Sequence, residues 1–107
     1  MCRSNFEEVS SSGFSIKSVW GDFEFHPSQV MSHPREYNGA PDIVILCTKS
    51  LSTIDYQHLL SDVLGPRTTL VVLQNGLHIE RPIQALFPDT PIISGLAFVC
   101  VSETSKG

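Results

Sequence analysis

Arg3, Lys49 and the amide pair Gln74-Asn75 are the side chains whose types and positions could do chemistry in this chain. Arg3-Ser4 stands immediately before a helix-like segment. A guanidinium offers planar paired donors to a phosphate, and the free N–H groups of an adjacent helix start add to them. Taken by themselves, the two residues read more readily as a surface arginine beside an ordinary capping serine. Lys49 closes the run Asp42 to Thr48, where an ammonium could meet a phosphate or a carbonyl, or snorkel into solvent. Gln74-Asn75 follows Leu70 to Leu73, and amides there can hydrogen-bond sugar hydroxyls or a substrate oxygen. Asn75-Gly76 is also the commonest two-residue hairpin turn. The segment after Gly76 has helical periodicity, which favours a strand-to-helix turn instead.

These clusters belong to one site only if the runs before them are parallel strands, because open α/β sheets bind ligands at strand carboxyl ends. Asp42-Ile43-Val44-Ile45-Leu46-Cys47 is continuous and β-branched, the pattern of a strand covered on both faces. Thr69 to Leu73 is a second such strand. Between them Tyr56, Leu59, Leu60, Val63 and Leu64 form an amphipathic stripe, with Ser52 expected as the cap and Gly65-Pro66 as the stop. Ile79, Ile83, Leu86 and Phe87 mark another helix, with Pro82 in its first turn. Pro91 to Ile93 and Ala97 to Val101 read as two further strand pieces around Gly95. Earlier in the chain, Ser4 and Glu7 have capping-box spacing for a short helix that Gly13 ends. Phe14 to Lys17 and Trp20 to Phe25 alternate as a β-hairpin, with Trp20 expected to pack it and a brief strand expected near Gln29 to Met31. His33 to Pro41 reads as a loop with one helical turn.

The totals exclude several classes. The chain's 107 residues allow one domain with a modest core, and 41% hydrophobic with 17% charged residues is a globular balance. A net charge of −4 without a block of like charges excludes a nucleic-acid patch or a basic membrane-surface helix. The apolar runs are too short to span a bilayer, and Met1-Cys2-Arg3 opens without the apolar stretch of a signal peptide. Cys2, Cys47 and Cys100 are odd in number, which predicts free thiols in a reducing, cytoplasmic compartment. His26, His33, His58 and His78 never fall at ligand spacing with a cysteine, so no metal site is expected. No Ser/His/Asp set or carboxylate pair stands out for nucleophilic catalysis.

In this order the landmarks resemble the N-terminal domain of the ketopantoate reductases (2-dehydropantoate 2-reductases). Cys2-Arg3-Ser4 is similar to that family's second-strand end, and Gly13-Phe14 with the hairpin to its NG-(L/F)-x-(I/L) segment. Asp42 to Lys49 resembles the fourth strand with its terminal lysine. Leu73-Gln74-Asn75-Gly76-Leu77 resembles the LQNGL signature, and Ile93 to Val101 the strand after it. The resemblance implies an α/β fold: a partial Rossmann-like parallel sheet with an inserted β-hairpin, lacking the first strand and the glycine-rich loop. It implies NADP (NADPH) as cofactor and a small 2-oxo acid as substrate, with 2-dehydropantoate reduced to pantoate on the route to pantothenate and coenzyme A. Arg3 would bind the 2′-phosphate with Ser4 beside it. Lys49 would line the cofactor and substrate cleft, Asn75 would contact the ribose or the substrate, and Gln74 would help shape the turn. The backbone near Val101 would lie on the nicotinamide side.

The departures are as informative. The glycines are residues 13, 21, 39, 65, 76, 95 and 107, so no G-x-G-x-x-G loop exists to let backbone approach a pyrophosphate. The family's helical C-terminal domain, with its catalytic lysine and glutamate, has no counterpart before Gly107. Its QNGLG turn ends here on His78. Residues 1–107 are therefore expected to be an incomplete NADP-binding domain, a fragment of a longer reductase that is inactive alone. In the strand order 3-2-1-4-5-6 the first strand separates the second from the fourth. Without it Ile43 to Cys47 becomes an unpaired apolar edge, prone to self-association. Two other readings stay open: a non-catalytic α/β module or scaffold that has lost cofactor binding, and a related reductase of another 2-oxo acid or carbonyl.

Overall fold

A computed structural model describes residues 5–104. The chain divides into two compact units, Met1–Glu36 with Cys100–Gly107, and Tyr37–Val99.

The first unit holds α1 (Phe6–Ser12) and an antiparallel hairpin of β1 (Phe14–Ile16) and β2 (Phe23–Phe25). Val9 is the buried residue of α1. The helix starts one residue later than its sequence suggests: Asn5 holds the cap position without a side-chain capping bond, and Ser4 lies outside the described residues. Gly13 ends it at φ 71° and ψ −145°, a conformation that side chains oppose. The hairpin pairs Phe14 with Phe25 and Ile16 with Phe23, and the Phe14 and Phe25 rings stack at 6.4 Å. Its connection is a six-residue loop closed by Lys17 Nζ to Asp22 Oδ2 at 2.9 Å. Trp20 sits on that loop, past the last paired residues, and is 96% exposed; it does not pack the hairpin. The strand expected near Gln29 to Met31 does not form, since no ladder partner reaches it among the described residues.

The second unit is the parallel sheet. β3 (Ile43–Leu46), β4 (Thr69–Leu73) and β5 (Ile92–Gly95) lie in that order, with α2 (Tyr56–Leu60) and α3 (Glu80–Leu86) as crossovers. The single helical turn before β3 is Pro34–Glu36, in the first unit. The cap of α2 is Asp55, which accepts from the His58 N–H at 2.9 Å; Ser52 is too far upstream to serve a helix this short. Leu46, Leu59, Leu60, Val63, Leu70, Val72 and Ile83 form the buried core.

Strand alternation sets which face is covered. Leu70 and Val72 of β4 point into the core, and Val44 and Leu46 of β3 join them. Ile43 and Ile45 turn the other way and stay 62% and 59% exposed, so β3 is not covered on both faces. Among the described residues it is the outer strand of this sheet. The second piece expected after Gly95 is also absent: residues 97–101 are exposed and pair with no described strand.

Candidate functional site

Parallel strands finish on one edge, so register decides which residues meet there. Ile43 pairs with Thr69 and Leu46 with Val72, while Leu73 pairs with Gly95. The carboxyl edge is therefore made by Cys47-Thr48-Lys49 after β3, by Gln74-Asn75-Gly76 after β4, and by Leu96 after β5. No hairpin forms at Asn75-Gly76. The chain leaves β4, bends through residues 75–78 and enters α3, using positive φ at Gly76 (130°) and His78 (59°).

Lys49 and Asn75 are both exposed on this edge. Neither side chain forms a hydrogen bond or ion pair with another described residue, which leaves an ammonium and an amide available to an oxygen-rich ligand. Gln74 behaves differently. It is only 4% exposed, and its Nε2 donates to Thr48 O at 2.7 Å and to Thr48 Oγ1 at 3.0 Å. Its amide also lies 3.5 Å from the Tyr56 hydroxyl, a long contact. With both Nε2 hydrogens on Thr48, that hydroxyl donates to Oε1.

From sequence Thr48 stands only within the strand end before Lys49, with no role of its own, and Tyr56 only in an apolar stripe. The signal for Gln74's inward direction was present. Thr68, Leu70, Val72 and Gln74 alternate along one face, and all four are buried. The Val101 backbone lies in the first unit and belongs to no strand. Arg3 and Ser4 lie outside the described residues.

A groove of about 420 Å³ in the first unit is lined by Asn5, Phe14, Ser15, Lys17, Ser102, Glu103 and Thr104. Its best donors are already used: Asn5 Nδ2 donates to Glu103 Oε1 at 2.6 Å and Lys17 binds Asp22. Among the described residues no cluster could hold a metal ion, no helix is long and apolar enough to cross a membrane, and Cys47 and Cys100 are free thiols.

The family model for ketopantoate reductase PanE/ApbA matches residues 1–107. A 2-dehydropantoate 2-reductase of Nostoc sp. is 28% identical over 112 residues, covering all of this chain and 33% of that protein. Crystal structures of two 2-dehydropantoate 2-reductases share the fold. The Methylococcus capsulatus structure superposes with TM-score 0.87 at 39% identity, over 97% of this chain and 34% of that one. The Geobacter metallireducens structure gives 0.89 at 29% identity, over 100% and 35%. The chain thus spans about a third of the length of the relatives it matches.

Proposed function

The chain belongs to the ketopantoate reductase PanE/ApbA family, and from that premise we propose that it supplies the strand edge that holds NADPH in a reductase of 2-dehydropantoate. The observation that carries this reading is the edge itself. Lys49 and Asn75 stand exposed at the carboxyl ends of adjacent parallel strands, where an α/β sheet binds its ligand.

The donor set fits part of the cofactor. Lys49 is a point charge for a phosphate or a substrate carboxylate, and Asn75 can both donate to and accept from ribose hydroxyls. The pyrophosphate cradle is not in this sequence, which has no G-x-G-x-x-G loop. NADPH when bound would supply the hydride that reduces the 2-oxo group. Arg3, with Ser4 beside it, would select the 2′-phosphate by paired guanidinium donors. The backbone near Val101 would face the nicotinamide. Without a G-x-G-x-x-G cradle these 107 residues should bind NADPH weakly by themselves, and with proton transfer assigned to none of them they should not turn over alone.

Fluorescence titration of the chain with NADPH and NADH tests the assignment. Lys49→Ala should weaken NADPH about tenfold, the scale of one charge-assisted hydrogen bond, and Asn75→Ala about fivefold, the scale of a neutral one. Arg3→Ala should weaken NADPH much more than NADH. Equal losses for the two cofactors would remove the 2′-phosphate role. Affinity unchanged by Lys49→Ala and Asn75→Ala would remove the edge from cofactor binding, and turnover of 2-dehydropantoate by the chain would refute its inactivity.

The exposed Ile43 and Ile45 on outer strand β3 favour a second property, pairing of that strand with another chain. Sedimentation should then show concentration-dependent association that Ile45→Lys abolishes. A monomer at all concentrations would exclude it.

A further inference from the structure

We infer that Gln74 is a positioning residue, one that fixes the spacing of Lys49 and Asn75 without itself touching ligand. The inference rests on the cofactor edge proposed above and adds to it the part that sets its geometry.

The β3–β4 register carries the argument. Partners differ by 26 positions, from Ile43 with Thr69 to Leu46 with Val72. Two steps beyond the last pair, Thr48 falls opposite Gln74. The paired strands have ended by then, and a side chain bridges the gap where a backbone ladder would otherwise continue. Gln74 Nε2 reaches both the carbonyl and the hydroxyl of Thr48. An amide reaches farther than a ladder bond, so the two backbones can separate at this edge while the Thr48 carbonyl stays satisfied.

The two exposed polar groups sit one residue beyond this bridge on each strand. Lys49 follows Thr48, and Asn75 follows Gln74. Remove the amide and nothing else among the hydrogen bonds of the described residues ties 48–49 to 74–75. The Tyr56 hydroxyl against the same amide anchors it to the start of α2. A hydrogen bond weakens steeply once its distance and angle are lost, and the whole net worth of the contact goes with it. Gln74 therefore matters to binding through Lys49 and Asn75, although its own side chain is buried.

Gln74→Met keeps the volume and removes the donors, and Thr48→Val removes only the hydroxyl. Backbone ¹⁵N relaxation of the ligand-free chain should show Thr48, Lys49 and Asn75 losing order in Gln74→Met, less so in Thr48→Val, while Leu70 and Val72 are unchanged. Unaltered order at Thr48 and Lys49 would overturn the inference whether or not NADPH binds. In a double-mutant cycle read by NADPH titration, Gln74→Met should weaken binding about tenfold when Lys49 is present and less than about twofold in a Lys49→Ala background. Equal losses in both backgrounds would show that Gln74 does not act through Lys49. A wild-type chain that fails to titrate at all would instead defeat the cofactor reading, and the relaxation arm alone would then decide the role of Gln74.

Discussion

Thr68→Val should destabilise the chain by about 2 kcal/mol without altering the candidate site. Thr68 is 1% exposed and lies one residue before β4. Its hydroxyl donates to Pro41 O at 2.6 Å and accepts from the Gly65 N–H at 3.0 Å, so one oxygen joins the entry to β3 with the loop that leaves α2. Valine has nearly the same shape, so packing survives and only the two hydrogen bonds are lost. Each is worth about 1 kcal/mol net, and more where the abandoned N–H or C=O cannot reach water. With a urea m-value of about 1.5 kcal/mol/M for a chain of this size, the midpoint should fall by about 1.3 M at constant m. Thr68→Ser, which keeps the hydroxyl and loses one methyl, should cost about half as much. The NADPH titration of Thr68→Val should match wild type, because Thr68 lies at the amino edge of the sheet and Lys49 and Asn75 at the carboxyl edge. A midpoint shift below about 0.3 M, or a serine variant as unstable as the valine one, would refute the hydrogen-bond account.

Three further outcomes follow from local geometry. Gly13→Ala places a Cβ 2.5 Å from Phe25 O at a φ of 71°, so it should cost about 2–3 kcal/mol and erase the β1–β2 cross-strand NOEs; a neutral variant would contradict the backbone conformation. His78→Gly relieves a left-handed residue at φ 59° and, after the entropy cost of glycine and the loss of a long 3.9 Å contact to Glu80 Oε1, should raise Tm by about 3 °C; a lower Tm would mean that the contact outweighs the backbone strain. Glu36 accepts from the Ser32 hydroxyl and from the Ser32 and His33 N–H groups, and the Ser32 hydroxyl contributes most to holding its carboxyl below the usual glutamate range. Because its folded pKa is the lower one, its contribution is present at neutral pH and is lost as pH falls through the folded value. Ser32→Ala should therefore raise the Glu36 midpoint read by carboxyl NMR, and an unmoved midpoint would be the contrary result.

The parallel half of the fold was legible because its signals are local and redundant. Thr69 to Leu73 is bounded by Gly65-Pro66 and Asn75-Gly76, and its strand forms with those limits. The helical stripe 56–64 was legible as a core face, although the helix itself stops at Leu60 and leaves Val63 in the turn that follows. What could not be read depends on partners distant in sequence. An unbroken run such as Ile43 to Cys47 looks the same whether one face or two are covered, and here Ile43 and Ile45 are bare. Trp20 has the composition of a core residue, but the loop it occupies offers nothing to pack against among the described residues. Ala97 to Val101 has strand composition without a neighbouring strand to accept its ladder. In the site, Lys49 and Asn75 could be placed from strand ends alone. The Thr48 link to Gln74 needed the register, which only the folded sheet supplies.

The buried row Thr68-Leu70-Val72-Gln74 ties these observations together. Its middle is apolar and fully covered, and its two ends are the buried polar residues among those described. Each end spends its side chain on the β3 side, Thr68 on Pro41 and Gln74 on Thr48. An apolar residue at either place would leave carbonyls of the β3 flanks without these partners just where the ladder stops, a cost comparable to a lost hydrogen bond. The consequences at the two ends are nevertheless different. At the amino edge the exposed positively charged side chain beside the bridge is Arg67, at the opposite edge of the sheet from the one proposed to hold the cofactor, so the bridge serves stability. At the carboxyl edge the same device stands between Lys49 and Asn75. A change of sequence there should be felt first as lost geometry between the two proposed ligand groups and only second as lost stability. That difference separates Thr68 from Gln74 experimentally, although burial alone makes them look alike.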